Sequence, residues 1–285
     1  MTVARVGRPS LSQNLSAALA EAQLRFTNIS RYPGQLLTNV IIPIVFAAMP
    51  MLLGRATGGA SAEANFAANT GSSNYVGYML IGSCVFQFVS STFFLVANWL
   101  RFEQETGTLE AVYLTPTSSA TLLGGVVLYS TVRSLLPALV AYVVGCLIFG
   151  LNPFDGNLGL ALGFIAAGLV PLAGMSMLFG AVVLKVKEAN ALLNLMQWVV
   201  SFLMGIFFPV AIMPPLLQYL AWLFPPTWMT NGVRSALLGV GYFFGHWYLD
   251  MAVLWAFMFL APLLGWFVFR RTEQGLQRNE GMGQF

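Results

Sequence analysis

Long apolar segments alternate with short polar ones along most of this chain. Six of the apolar segments are long enough for a helix that crosses a bilayer, which takes about 20 residues for a hydrocarbon core of roughly 30 Å. They are residues 36–53, 75–100, 120–149, 158–184, 189–210 and 251–269. A spanning segment must satisfy its own backbone hydrogen bonds, and a helix does so. The pattern therefore predicts an all-α polytopic membrane protein, with six transmembrane helices in one domain that covers residues 1–285.

The segment before the first span has a different pattern. From Leu11 to Ile29, apolar residues recur on one helical stripe, whereas Glu21, Arg25 and Arg31 lie off it. This spacing predicts an amphipathic helix over residues 11–31 that lies on the membrane surface. A helix that packs on the rest of the protein explains the same stripe equally well.

Prolines interrupt the apolar sequence between the fifth and sixth spans. They are Pro209, Pro214, Pro215, Pro225 and Pro226. The pieces that they leave, such as residues 216–224, are too short to cross a bilayer. Such pieces favour short helices that enter the membrane, pack against protein and return. We expect re-entrant helices of this kind over residues 211–245, on the outer side.

Composition agrees with a membrane protein and excludes several other classes. Apolar residues make up 58% of the chain and charged residues 8%, against about 25% charged in soluble domains. The sequence has no basic run of the kind that binds nucleic acid. Cys84 and Cys146 both lie in apolar segments, which favours buried thiols over a disulfide.

The positive charges predict an orientation. With both termini in the cytoplasm, the outer side holds only Arg55 and Arg234. The inner side then holds Arg5, Arg8, Arg25, Arg31, Arg101, Lys185, Lys187, Arg270, Arg271 and Arg278. This bias predicts a multi-pass protein of the plasma membrane with cytoplasmic N- and C-termini. Arg133 lies within a span, where it has either a structural role or a functional one.

The polar segment between the second and third spans is the strongest candidate for a partner contact. Residues 101–115 include Glu103, Glu105 and Glu110, and the predicted orientation places them in the cytoplasm. Three acids against anionic lipid headgroups would be unfavourable. A short helix that contacts another protein therefore fits this segment better than a helix that faces lipid.

The sequence contains no energy source of its own. Lys185 and Lys187 are the only lysines, and neither follows the glycine run that a phosphate-binding loop needs. His246 is the only histidine, so we expect neither a metal site nor a catalytic triad. The spans also have few of the ionisable residues that couple secondary transporters to ions. A transporter of this composition must take its energy from a partner.

Two motifs resemble the permease subunits of ABC exporters of the ABC-2 type. The first is E-Q-E-T-G-T-L-E from Glu103 to Glu110, with Leu-Thr-Pro at 114–116. It is similar to the E-x-G-T-[LE]-E run and the following Thr-Pro of that family. The second is the proline-bounded stretch 208–214 with residues 225–234, where Pro-Pro stands in place of the family's usual Asn-Pro. The resemblance covers nearly the whole chain.

The resemblance implies a partner and a mechanism. In this family the acidic segment is a coupling helix that sits in a cleft of a separate ATP-binding subunit, so ATP and Mg are expected there and no cofactor in this chain. Two permeases, identical or related, form a dimer, and ATP-driven closure of the partner subunits opens a path between them. The implied contact residues are Glu103, Glu105, Gly107, Leu109, Glu110 and Tyr113.

The resemblance also implies that the path follows the first, second and fifth spans. Its candidate lining consists of polar residues in the second and fifth spans and of phenylalanines near the outer end of the fifth. These are Gln87, Asn98, Asn190, Asn194, Gln197, Ser201, Phe202, Phe207 and Phe208. Hydrogen bonding between helices explains the polar members too. A hydrophobic drug, a lipid and a glycan are all compatible cargoes.

Two functions of other classes stay open at this point. A membrane scaffold or signalling module bound to an ATPase would transport nothing itself. An ion-coupled carrier would move its cargo without ATP.

Overall fold

The computed structural model describes residues 33–70, 74–105, 119–184, 186 and 189–279. Within these ranges the regular structure is helical, which confirms the predicted all-α class. The helices are α1 Pro33–Thr70, α2 Tyr75–Glu105, α3 Ser119–Phe149, α4 Leu158–Val183, α5 Ala189–Leu203, α6 Pro215–Trp222, α7 Pro225–Leu238 and α8 Trp247–Asn279. A short 3₁₀ helix, Val210–Ile212, lies between α5 and α6. The predicted amphipathic helix 11–31 lies outside the described residues.

Five of the described helices contain a segment long and apolar enough to cross a membrane. The segments are Leu37–Gly59, Tyr75–Val96, Gly124–Phe149, Leu158–Val183 and Trp247–Thr272. They correspond to the first four predicted spans and the last one. The chain is therefore a multi-pass membrane protein, as its hydrophobic pattern predicts.

The helix in the predicted span 189–210 is shorter than expected. α5 has 15 residues, or about 22 Å at 1.5 Å per residue, against roughly 30 Å of hydrocarbon. It ends because Gly205 has a φ of 59°, in the left-handed region that favours glycine. The amide of Gly205 donates to the carbonyl of Phe202, and the amide of Ile206 to that of Ser201, which is the pattern of a Schellman cap. A sixth span therefore stays a prediction.

The first helix is longer than expected. Residues 54–74 read as a polar loop in the sequence, but α1 continues through them as far as Thr70. The segment is rich in alanine, the strongest helix former, so it stays helical once it leaves the apolar stretch. Gly59, with φ 52° and ψ −137°, makes the one non-helical joint inside α1.

α2 is the central helix of the bundle. In the apolar segment of α2, 78% of residues are buried, against 17% in the segment of α1. Phe88 and Val89 of α2 lie in the main core with Phe164 of α4 and Met229 of α7. α1 therefore lies at the periphery, with most of its apolar side chains uncovered.

α4 and α8 cross at two glycines. A Cβ on Gly174 would collide with the backbone of Ala261 and Pro262, and one on Gly265 would collide with the carbonyl of Gly174. Small residues allow this close approach, which is common between helices in membranes.

The proline-rich region between α5 and α8 forms short helices, as its prolines predict. α6 and α7 begin with prolines at their first positions, where a missing N–H does no harm. α7 is buried along most of its length, and the indole N–H of Trp228 donates to the carbonyl of Trp222 over 2.7 Å. α7 therefore packs inside the bundle, whereas α6 lies at its surface with Ala221 as its buried residue.

Candidate functional site

An apolar groove lies between α1 and the end of α5. Its cavity has a volume of about 620 Å³. Phe46, Met49, Pro50, Leu52, Leu53 and Ala56 of α1 line it, together with Trp198 of α5 and Phe207. Met49 is 71% exposed and Trp198 65%, so the groove is open at the side of the bundle. It is the concave part of a broad apolar face on α1 and α5.

Aromatic rings close the inner wall of this groove. The ring of Phe207 lies 5.2 Å from that of Phe46, and Phe46 stacks on Phe86 of α2 at 5.9 Å. Phe202 and Phe208 meet edge to face at 5.3 Å. Of the predicted phenylalanines, Phe207 thus contacts Phe46 of the first helix, and Phe46 in turn stacks on Phe86 of the second.

A polar link joins α1 to α2. The amide nitrogen of Gln87 donates to the hydroxyl of Ser91 over 3.0 Å and, more weakly, to the side-chain oxygen of Asn39 over 3.5 Å. A hydrogen bond of this kind holds two helices together in hydrocarbon, where water offers no alternative partner. The structural reading of Gln87 therefore has direct support, and the adjacent residue in the chain is Phe86, which stacks on Phe46 of the groove lining.

The predicted polar stripe of α5 does not face one surface. Asn194 is exposed, whereas Ser201 is buried and its hydroxyl donates to the carbonyl of Trp198 over 2.7 Å. Gln197 is half-buried beside Ser90 and Phe93 of α2. The side chains of Asn98 and Asn190 lie outside the described residues. Of the stripe, only Asn194 is placed on an open face.

The acidic coupling segment begins as a continuation of α2. The sequence predicts a separate helix over residues 101–115, but α2 runs without a break to Glu105 and so includes Glu103. It extends nine residues beyond Val96, the end of the apolar segment, or about 14 Å. The turn expected near residue 100 is absent because residues 97–105 contain neither proline nor glycine. Gly107, Leu109, Glu110 and Tyr113 lie outside the described residues.

Arg133 lies in the third helix, where the sequence placed it. Its guanidinium donates to the hydroxyl of Tyr129 over 3.4 Å and lies 5.9 Å from the centre of that ring. The two residues are one turn apart on α3, so this contact is local. It supports a structural role for Arg133.

A second buried arginine was not predicted. Arg234 of α7, which the charge pattern assigned to the outer side, is only 2% exposed. Its guanidinium donates to the carbonyls of Tyr78 at 3.2 Å, Gly205 at 2.8 Å and Ile206, and it lies 3.7 Å over the ring of Tyr78. Burial lowers the pKa of Arg234 below its ordinary value, but arginine remains charged in proteins. Sequence reasoning missed it because backbone carbonyls leave no signature in a sequence.

Within the described ranges, His, Cys, Asp and Glu side chains form no group of three or more that could hold a metal ion. A family model described as "ABC-2 type transporter" matches residues 18–238, which include α1 to α7 and the acidic segment. No curated protein matches the chain.

Proposed function

The chain belongs to the ABC-2 type transporter family, and on that premise we propose that it is the permease subunit of an ATP-driven exporter of the plasma membrane. In this proposal ATP and Mg bind to separate ATP-binding subunits. Two permease copies, identical or related, form the path between them. The cargo is a hydrophobic or amphipathic drug, lipid or glycan.

The observation that carries the proposal is the open apolar groove on α1 and α5. It is lined by aromatic rings of α1, of α5 and of the turn after α5, and Phe46 of this lining stacks on Phe86 of the second helix. The path is expected at these helices. The exposed Asn194 adds a polar group beside the apolar lining. Ligand sites combine a mostly apolar, concave surface with a few polar groups, and this face has both.

The groove also supports the proposal that a second permease copy packs against α1 and α5. α8 too is uncovered, and its exposed residues within the span, such as Phe259 and Leu263, form an apolar face that suits lipid. A concave face bounded by Met49 and Trp198 is better matched by another protein surface, which buries apolar area on both partners.

The motion of the ATP-binding subunits is proposed to reach the permease through α2. This helix is buried at the centre of the bundle and reaches to Glu105, so a push on the acidic end would act on the core and on the α1 side of the groove together. The three acids would pair with basic groups of the ATP-binding subunit, as the family resemblance implies. The continuous helix supplies the rigid connection that such a transfer of motion requires.

The test is to reverse the acidic charges. We expect Glu105→Lys with Glu110→Lys to reduce binding of the ATP-binding subunit, and ATP-driven transport with it, by at least about tenfold, since lost charge pairs at interfaces cost roughly 2–5 kcal/mol. The matched control is Asp155→Lys, an exposed charge reversal in the turn at the other end of α3. Co-purification from membranes measures binding, and ATP-dependent movement of cargo in proteoliposomes measures transport. Full ATP-driven transport by the double variant would refute the coupling role.

A further inference from the structure

Arg234 is a buried charge to which the proposed transport cycle assigns no role. We propose that it is a positioning residue of the translocation path, which holds the turn after α5 and thereby sets Phe207 and Phe208. This inference rests on the proposed function, because it takes the groove between α1 and α5 as part of the path.

The guanidinium of Arg234 is held by backbone carbonyls from two other helical segments. One carbonyl, of Tyr78, belongs to α2, and the other two, of Gly205 and Ile206, belong to the turn that ends α5. The ring of Tyr78 covers one face of the guanidinium at 3.7 Å. The carbonyls at a helix C-terminus have partial negative charge, so a cation placed there is favourable. Arg234 thus ties α7 to both α2 and α5.

The surroundings leave room for the guanidinium and for little else. A Cβ on Gly82 of α2 would collide with the guanidinium and with the carbonyl of Ile206. Gly82 therefore allows the arginine to reach the turn, and a methyl group at this position would displace it without removing its charge. Because the same methyl group would also press on the carbonyl of Ile206, Gly82→Ala separates the guanidinium from the turn while the charge is retained.

The turn held by Arg234 leads directly into the aromatic wall of the groove. Gly205 and Ile206 precede Phe207, which packs on Phe46 of α1, and Phe208, which packs on Phe202 of α5. Gly205 has a positive φ and lies against the backbone of Phe208, so the turn is compact. A change in its carbonyl positions must therefore move both rings. α7, the helix that holds Arg234, is in this way connected to the α1 side of the path.

Loss of the contact should open the turn. Each hydrogen bond to a charged group contributes enough that removal of the three raises the population of an open turn by at least about tenfold. Arg234→Gln removes the charge, and Gly82→Ala displaces the guanidinium. Arg234→Lys keeps the charge but lacks the planar fork that reaches several carbonyls together, so we expect a smaller effect. Arg270→Gln is the matched control, because Arg270 is exposed and lies 5.0 Å over Trp266.

The first readout is the accessibility of the turn in membranes that hold the full chain. Cys84 and Cys146 are replaced by Ala, and Val210→Cys, a buried position beside Gly205, reports labelling by a membrane-impermeant maleimide. Ile212→Cys, exposed in the same 3₁₀ helix, checks that the reagent has access. We expect Val210→Cys to label at least about tenfold faster with Arg234→Gln or Gly82→Ala, and unchanged with Arg270→Gln. Labelling within about twofold of the parent in either folded variant would overturn the positioning role.

The second readout separates this role from a purely structural one. Proteoliposomes that hold the permease and its ATP-binding subunit are loaded with carboxyfluorescein, and efflux is measured without ATP. We expect faster efflux with Arg234→Gln and with Gly82→Ala, partial recovery with Arg234→Lys, and no change with Arg270→Gln. Faster labelling without faster efflux would mean that Arg234 holds the turn but that the turn is not part of the path. That result would overturn the inference. Failure of the parent complex to transport with ATP would instead overturn the proposed function and leave the labelling result in place.

Discussion

Buried charges are held by backbone groups at the two sites where the structure describes them most fully. Arg234 donates to three carbonyls, and the carboxylate of Asp250 accepts from the amides of Phe243 and Phe244 over 2.9 and 3.0 Å. Charge-assisted hydrogen bonds are about twice as strong as neutral ones, and a charge without partners is very unfavourable in a low-dielectric interior. Arg234 and Asp250 therefore each hold a loop in a conformation that the loop's own sequence does not fix.

The Asp250 contact gives a prediction for stability. Asp250→Ala leaves two partly buried amides without their charged acceptor and should lower the free energy of unfolding by roughly 1–3 kcal/mol. Asp250→Asn keeps one acceptor oxygen and should lower it by less. Thermal unfolding of the purified protein measures both, with Asp155→Ala as an exposed control. Equal unfolding temperatures for Asp250→Ala and the parent would contradict this account of the loop between α7 and α8.

The sequence singles out Arg133 as an unusual charge but gives no sign that Arg234 is buried. Arg133 stands out because it interrupts an apolar segment, and a charge there requires an explanation. Arg234 follows Thr230, Asn231 and Gly232, a polar stretch within the short helices predicted on the outer side, where an arginine needs no special explanation. Its partners lie 156, 29 and 28 positions away in the chain, so only the tertiary fold brings them together.

The crossing of α4 and α8 shows how a single atom sets the distance between two helices. Gly174→Ala adds a methyl group where the backbone of Ala261 and Pro262 already lies, so the helices must separate. We expect a loss of roughly 1–3 kcal/mol in the free energy of unfolding, the usual range for overpacking. Gly163→Ala in the same helix is the matched control, because its Cβ would make ordinary contact with Met251 at 3.7 Å. Similar unfolding of the two variants would show that the crossing is looser than described.

The long helices could be predicted from the sequence and their ends could not. Continuous apolar residues identify α1 to α4 and α8 because a bilayer requires them. The end of α5 depends on Gly205 adopting a positive φ and on carbonyls that accept hydrogen bonds from Arg234, neither of which follows from hydrophobicity. The extension of α1 to Thr70 was missed because its small residues read as a loop, although alanine favours a helix.

One uncovered face of the bundle, on α1 and α5, contains an apolar groove, and from it we predict how two copies assemble. In a chain with Cys84 and Cys146 replaced by Ala, Met49→Cys should cross-link to a neighbouring permease with a short bis-maleimide. Phe259→Cys, which is 75% exposed on α8, is the control and should not cross-link because α8 lies outside the proposed dimer face. Denaturing gels of treated membranes give the result, and mass spectrometry of the product tells a second copy from a related permease. Equal cross-linking at the two positions would contradict the dimer proposed along α1 and α5.

The family and the membrane fold were accessible from the sequence because both depend on local features, namely apolar length and two short motifs. The groove could be predicted from the sequence only in part. Phe207 and Phe208 were predicted as path residues, but Phe46 and Trp198, which complete the lining, have no mark that separates them from other lipid-facing residues. The contact of the acidic segment with an ATP-binding subunit stays a prediction that rests on Glu103, Glu105 and Glu110.

The central claim is that this permease moves its cargo only when a separate ATP-binding subunit drives it. The most direct measurement compares proteoliposomes that hold the permease alone, the ATP-binding subunit alone and both together, against a panel of lipids, glycans and amphipathic drugs. We expect cargo movement that requires ATP, and ATP hydrolysis stimulated by cargo, only when both proteins are present. Cargo movement by the permease alone, driven by an ion gradient or by none, would contradict the claim.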